Sequence, residues 1–254
     1  MPLSLDARTI PPNRPRFVER VLMRCAGQCA ICRSWSERRV CTDCLGRYAA
    51  PVLRCHSCGL RLPASPALAG RVQCGRCLKT PPPVERCVTA LDYQFPWDTL
   101  LQRFKYHLAL DLREVLAERL LQALEGAGVP APDFIVPVPL SRQRLQERGY
   151  NQAHEIAKSL GRRLRLRVEP ELVLRLRDTG AQAQLDLDAR AANVRGAFAA
   201  EPTRLAELKG ARVAVLDDVL TTGATVFEVA RVLRQAGAAE VQAWTLARTP
   251  EPGT

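Results

Sequence analysis

Val213-Ala214-Val215-Leu216-Asp217-Asp218-Val219-Leu220-Thr221-Thr222-Gly223-Ala224-Thr225 is the stretch that decides the fold. Val213 to Leu216 reads as a short, fully buried strand, and Val226 to Gln235, closed by Gly237, reads as the helix that follows. Two carboxylates therefore stand at a strand end, and a threonine and glycine turn leads into a helix N-terminus. Adjacent acids can hold the vicinal hydroxyls of a ribose. Backbone amides, hydroxyls and the positive end of a helix dipole suit a phosphate. A ribose 5-phosphate fits both halves.

The same alternation extends outward from this stretch. Val88 to Phe95 alternates as a strand, and Trp97 to His107 and Asp111 to Leu124 have helical periodicity, with Asp111 and Glu114 spaced as a capping box. Phe134 to Leu140 reads as a short buried strand, Asn151 to Leu164 as a helix and Val241 to Leu246 as a last strand. This pattern predicts an α/β domain with a parallel sheet, whose ligands bind beyond the carboxyl ends of the strands. Residues 84–254 are expected to form it, with Pro81-Pro82-Pro83 as the linker before it. Residues 1–83 then hold an N-terminal tail and a small cysteine-rich module.

The chain has 254 residues, 47% of them hydrophobic and 25% charged, which excludes the disordered and fibrous classes. No stretch approaches the roughly 18 to 20 apolar residues of a membrane span, and the polar, proline-rich segment from Met1 to Arg16 has no signal-peptide core. A cytoplasmic protein is expected. Residues 1–87 carry 15 Lys/Arg against 5 Asp/Glu, whereas residues 88–254 carry 22 against 21, so nearly all of the net charge of +11 sits on the cysteine-rich module. Arginine outnumbers lysine 33 to 4, so the sign and position of the charge carry the meaning here.

All ten cysteines lie between Cys25 and Cys87, and eight of them form the pairs Cys29/Cys32, Cys41/Cys44, Cys55/Cys58 and Cys74/Cys77. A Cys-x-x-Cys turn sets two thiolates on one edge of a metal, and two turns close a tetrahedral Zn²⁺ site with no open position. Two structural zinc sites are expected. A disulfide framework belongs to exported chains, and a redox motif would not recur four times. Consecutive pairing, as in stacked zinc ribbons, is preferred here; an interleaved cross-brace is the alternative that spacing leaves open. Cys25 and Cys87 fall outside the pairs and read as small apolar residues. With few large apolar side chains of its own, the module is expected to draw its folding energy from metal, on the order of 10 kcal/mol or more per site. His56 lies inside the third pair, but eight thiols leave it no ligand role. Arg33, Arg38, Arg39, Arg47, Arg54, Arg61, Arg71 and Arg76 are interleaved with the pairs, beside Trp35, Tyr48 and His56. Charge for a backbone and rings for bases suit a single-stranded nucleic acid; a solvated face that offsets thiolate charge is the plain alternative.

The run from Val213 to Thr225 resembles the signature of type I phosphoribosyltransferases, which bind 5-phosphoribosyl-1-pyrophosphate. Pro137 to Ser141, Arg148 to Ala153, Arg190 and Asn193 to Phe198 extend the likeness to the ComF family, in which a cysteine-rich zinc module precedes a phosphoribosyltransferase domain. The likeness spans about residues 25–248. It implies that Asp217 and Asp218 contact the ribose hydroxyls and that Thr221, Thr222, Gly223, Ala224 and Thr225 cradle the 5-phosphate. It also implies a Mg²⁺ ion held mostly by the ligand. Leu140, Ser141 and Arg142 take the place of the pyrophosphate loop, with Arg148 as a cation for the leaving group. Arg175 to Asp188, with Arg175, Arg177 and Gln184, looks like the mobile loop over the site. No segment reads as an acceptor pocket. The resemblance implies a role in uptake or processing of single-stranded DNA during competence, with a competence helicase as partner. A salvage transferase with a purely structural zinc module and a non-catalytic phosphoribosyl pyrophosphate sensor are the alternatives.

Overall fold

A computed structural model of the chain describes residues 27–63, 72–178 and 192–251; Cys25, Arg71, Gln184 and Arg190 lie outside them. Five parallel strands form the central sheet in the order β3 (Arg86–Asp92), β9 (Glu240–Arg248), β8 (Arg212–Leu220), β4 (Phe134–Pro137), β5 (Arg167–Val168). Along β8, Ala214 and Leu216 join the core on one face while Val213 and Val215 join the core on the other, as the two-residue side-chain period of a strand requires. The first face is covered by α3 (Trp97–Tyr106), α4 (Arg113–Ala127) and α6 (Gln152–Leu164), through Leu116, Leu120, Ile156 and Leu160. The second is covered by α8 (Ala224–Gln235), through Val229 and Leu233. Helices on both faces account for the nearly continuous burial of β9. Among the described residues, no helix is long and apolar enough to cross a membrane.

Of the boundaries that differ from the expectations, four have a clear physical reason. β8 does not stop at Leu216: Asp217, Val219 and Leu220 still pair with Thr245, Ala247 and Arg248. Backbone hydrogen bonds to β9 continue past the point where side-chain hydropathy changes. β4 ends at Pro137 rather than Leu140, where Pro137 and Pro139 have no N–H to offer. β3 covers Arg86 to Asp92 rather than Val88 to Phe95, because its partners on β9 run from Gln242 to Arg248. The capping box does not form. A 3-10 turn at Leu110–Leu112 precedes α4, whose N-cap Leu112 makes no side-chain bond; Asp111 pairs with Arg39, and Glu114 accepts from Arg113, Ser159 and Arg163. Ionic partners outcompete a local cap. By contrast Asn151 caps α6, its side chain accepting from His154 N (3.3 Å).

In the N-terminal module, β1 (Gly27–Gln28) and β2 (Trp35–Ser36) form a small hairpin around the first cysteine pair, and α1 (Thr42–Tyr48) and α2 (Gly75–Lys79) each start directly after a cysteine. Cys29, Val40, Cys44 and Leu45 are buried in the same core as α3 and α4, and the Trp97 indole N–H donates to Tyr48 O (2.6 Å). Besides any metal, the module is thus held by apolar residues that pack on the α/β domain.

Candidate functional site

At the carboxyl end of the sheet, a cleft of about 620 Å³ opens between the end of β8, the turn after it, the end of α3 and the segment from Val138 to Gln152. Asp217 and Asp218 lie side by side at its base. Lys105 Nζ stands 3.0 Å from Asp218 Oδ2. Burial would raise the Asp218 carboxyl, but the Lys105 ammonium outweighs it and holds the group below the ordinary carboxylate range. For Asp217 the pull of Lys105 is weaker, and burial followed by the negative charge of Asp218 pushes it up to about 7. One acid is thus firmly ionised and its neighbour is poised near neutrality.

The turn is only Thr221 to Gly223, because Ala224 and Thr225 already belong to the first turn of α8. Gly223 has φ 88° and makes no side-chain cap, and a Cβ there would lie 2.2 Å from the Phe227 ring. Only glycine fits that position. Thr222 Oγ1 accepts from Ala224 N (3.2 Å). Thr221, Thr222 and the first residues of α8 thus line the same cleft as the two acids.

The opposite wall is basic and aromatic. Arg148, the last residue of α5 (Arg142–Arg148), sits 5.0 Å over the Tyr106 ring and donates to Gln152 Oε1 (3.1 Å). Arg144, Leu140 and Arg175 also line the cleft. Ser141 is buried, and its hydroxyl caps α5 by accepting from Arg144 N (3.3 Å), while Arg142 points to solvent outside the cleft lining. Arg175 ends a strand, Val173–Arg175, paired with Phe198–Ala200, and Arg177 donates to Arg195 O (2.6 Å). Lys105 and Tyr106 were missed by sequence reasoning. The one available signal was that Lys105 is among only four lysines in an arginine-rich chain.

The eight paired cysteines gather into two groups, Cys29/Cys32/Cys41/Cys44 and Cys55/Cys58/Cys74/Cys77, with the sulfurs of each group within 4.8 Å of one another. Consecutive pairs share a centre. Between pairs, Cys32 Sγ and Cys41 Sγ are 3.7 Å apart, as are Cys58 Sγ and Cys74 Sγ. A tetrahedron with bonds of about 2.3 Å has edges of about 3.8 Å, so the spacing fits four thiolates around one ion. Backbone amides of Cys41 and Ile31 donate to Cys29 Sγ, and that of Cys74 to Cys55 Sγ, the outer shell that supports thiolate ligands. Within the second group the thiol of Cys58 draws Cys55 down to about 4, while Cys58 itself is driven far up by Cys55. Cys87, outside the groups, is pushed up to about 12 by burial and behaves as a neutral core thiol.

Half of the module's arginines named above are tied to acids of the α/β domain: Arg39 to Asp111, Arg38 to Glu118 (3.7 Å), and both Arg54 (2.7 Å) and Arg61 (3.1 Å) to Asp92. Arg33, Arg47 and Arg76 face solvent, as does Trp35, which is 76% exposed.

The phosphoribosyl transferase domain family matches residues 149–253. A DNA utilization protein, YhgH, of Escherichia coli O6:H1 is 36% identical over 230 residues, covering 88% of this chain and 97% of the relative. Competence protein F of Haemophilus influenzae is 36% identical over 69% of this chain and 78% of its own length. Competence protein ComFC of Bacillus subtilis is 32% identical over 45% and 44% of the two chains. Among solved structures, a glutamine phosphoribosylpyrophosphate amidotransferase of B. subtilis matches 56% of this chain and 30% of its own, at 21% identity and a TM-score of 0.37.

Proposed function

Because the chain belongs to the ComF family of competence and DNA utilization proteins, we propose that its cleft binds 5-phosphoribosyl-1-pyrophosphate and that its cysteine-rich module holds two zinc ions and contacts single-stranded DNA. The observation that carries the ligand reading is one cleft that joins two strand-end acids, a threonine and glycine turn at a helix N-terminus, and a basic opposite wall. Asp217 and Asp218 accept from the ribose hydroxyls, and Thr221 to Thr225 enclose the 5-phosphate. Arg148 and Arg144 face the pyrophosphate, with Leu140 and the backbone of Ser141 and Arg142 beside it. The Asp218 charge is already matched by Lys105, which leaves little to attract a free divalent ion. Mg²⁺ therefore enters on the ligand's phosphates.

For turnover, a nucleophile would displace pyrophosphate from C1, and these groups supply position and charge stabilisation without a covalent intermediate. A sensor needs the same groups, and pyrophosphate release with a panel of bases separates the two. The ion pairs that tie Arg38, Arg39, Arg54 and Arg61 to acids of the α/β domain favour a second reading, a salvage transferase whose zinc module is structural. The deciding experiment is a titration of the full chain with phosphoribosyl pyrophosphate and Mg²⁺, with and without single-stranded DNA. Asp217→Asn with Asp218→Asn should weaken ligand binding by roughly 1.5 to 3 kcal/mol per lost charge-assisted hydrogen bond. Unchanged affinity in that variant overturns the ligand reading, and no binding of single strands at low salt favours the salvage enzyme.

A further inference from the structure

Arg248, at the carboxyl end of β9, is a buried cation whose hydrogen bonds reach in two directions. It is 3% exposed. Its Nε donates to Cys58 O (3.1 Å), inside the second cysteine group. Its Nη1 donates to Leu220 O (3.2 Å), Thr249 O (2.7 Å) and Thr221 O, the first residue of the turn. All four acceptors are carbonyl oxygens, which bring no formal charge; the negative groups that act on the guanidinium are the cysteine sulfurs and the Glu251 carboxylate. A guanidinium taken out of water needs an opposite charge nearby. Four thiolates around Zn²⁺ carry a formal charge of about −2, and that group lies directly behind Cys58 O.

A second contact joins the same two places. Phe227, in the first half of α8, packs against the second cysteine group, and its ring occupies the space where a side chain on Gly223 would go. The turn is thus held from one side by a guanidinium and from the other by a ring, and both rest on Cys55/Cys58/Cys74/Cys77. The first cysteine group packs elsewhere, on α3 and α4.

We infer that Arg248 is a positioning residue that fastens the Thr221 to Gly223 turn to the second cysteine group, so that metal in that group, and not in the first, sets how tightly the cleft holds a phosphorylated ligand. This rests on the reading of the turn as a phosphate cradle. Loss of metal from the second group lessens the negative charge that faces Arg248 and frees the Cys58 carbonyl, and the turn loses its fixed position.

The test uses the full chain in five forms: native, Arg248→Lys, Cys77→Ser, Cys32→Ser and the double variant Arg248→Lys with Cys77→Ser. Binding of phosphoribosyl pyrophosphate with Mg²⁺ is followed by calorimetry, zinc content by elemental analysis, and hydrogen exchange of the amides from Thr221 to Thr225 by mass spectrometry. Arg248→Lys should keep both zinc ions and its cooperative unfolding yet bind at least tenfold more weakly. Cys77→Ser should lose one zinc ion with a similar loss of affinity, Cys32→Ser should lose the other with native affinity, and Arg248→Lys combined with Cys77→Ser should be little worse than either alone. Equal losses from Cys32→Ser and Cys77→Ser, native affinity in Arg248→Lys, or additive losses in the double variant would overturn the coupling. If the native chain binds no phosphoribosyl pyrophosphate, the cradle reading fails by itself. Exchange then decides the coupling: faster exchange at the turn in Arg248→Lys and Cys77→Ser alone supports it, and exchange unchanged from native overturns it.

Discussion

Asp217 and Asp218 are chemically identical neighbours that the fold drives apart, one held ionised by Lys105 and the other raised to about 7 by burial and by its neighbour's charge. The consequence for stability has a definite sign. In the unfolded chain Asp217 ionises near 3.8, while in the folded chain it stays neutral until about 7, so folding loses stability steadily as pH rises between these values. Asp217→Asn removes that loss. The variant should be more stable than the native chain above pH 7, and the gap should close as pH falls toward 4. Denaturant unfolding across that range checks this, and a pH-independent gap contradicts it. Lys105→Met should act in the opposite sense on Asp218, raising its carboxyl and moving the pH midpoint for ligand binding upward.

The strand, turn and helix around these acids are held by few atoms. Gly223 combines a positive φ with a ring against its Cα, so Gly223→Ala should destabilise the protein by more than about 1 kcal/mol, the range for alanine forced into a left-handed position. A matched Gly126→Ala change, at a helical site with open space around it, should be neutral or stabilising. Comparing the two unfolding midpoints isolates the turn from any general effect of alanine. This element was half legible: its apolar run and helix could be read, but continued pairing with β9 through Leu220 could not, because hydropathy records side chains and the pairing is made by the backbone.

Across the whole molecule, the module and the sheet domain are one packed object, and metal removal should be felt in both. Two zinc ions per chain are expected, and a chelator should expose Trp97, which is 1% accessible beneath Tyr48; its fluorescence should shift to the red as the α1 contact is lost. No zinc by elemental analysis, or an unshifted spectrum after metal removal, contradicts this. For DNA, binding of the full chain to single strands should fall with salt by about 0.7 in log-log slope per phosphate neutralised. Arg33→Ala, Arg47→Ala and Arg76→Ala should lower that slope, whereas Trp35→Ala should weaken binding by roughly 1 to 3 kcal/mol and leave the slope unchanged. Arg39→Ala should affect stability instead, since Arg39 is occupied by Asp111.

Sequence alone determined the α/β class, the eight paired thiols and the Asp217 to Thr225 motif, because these depend on contiguous residues and local periods. Tertiary structure decided how the cysteine pairs combine, which arginines are left for solvent, that Lys105 and Tyr106 line the cleft, and that Arg248 bonds to the turn behind it. Lys105 and Arg248 are separated from Asp218 and Cys58 by long stretches of chain, and no local pattern marks them. Their roles follow from charge: an ionised Asp218 at the sheet's end needs a cation within about 3 Å, and a guanidinium buried beside the turn needs the acceptors and the negative group that only the folded module brings to it.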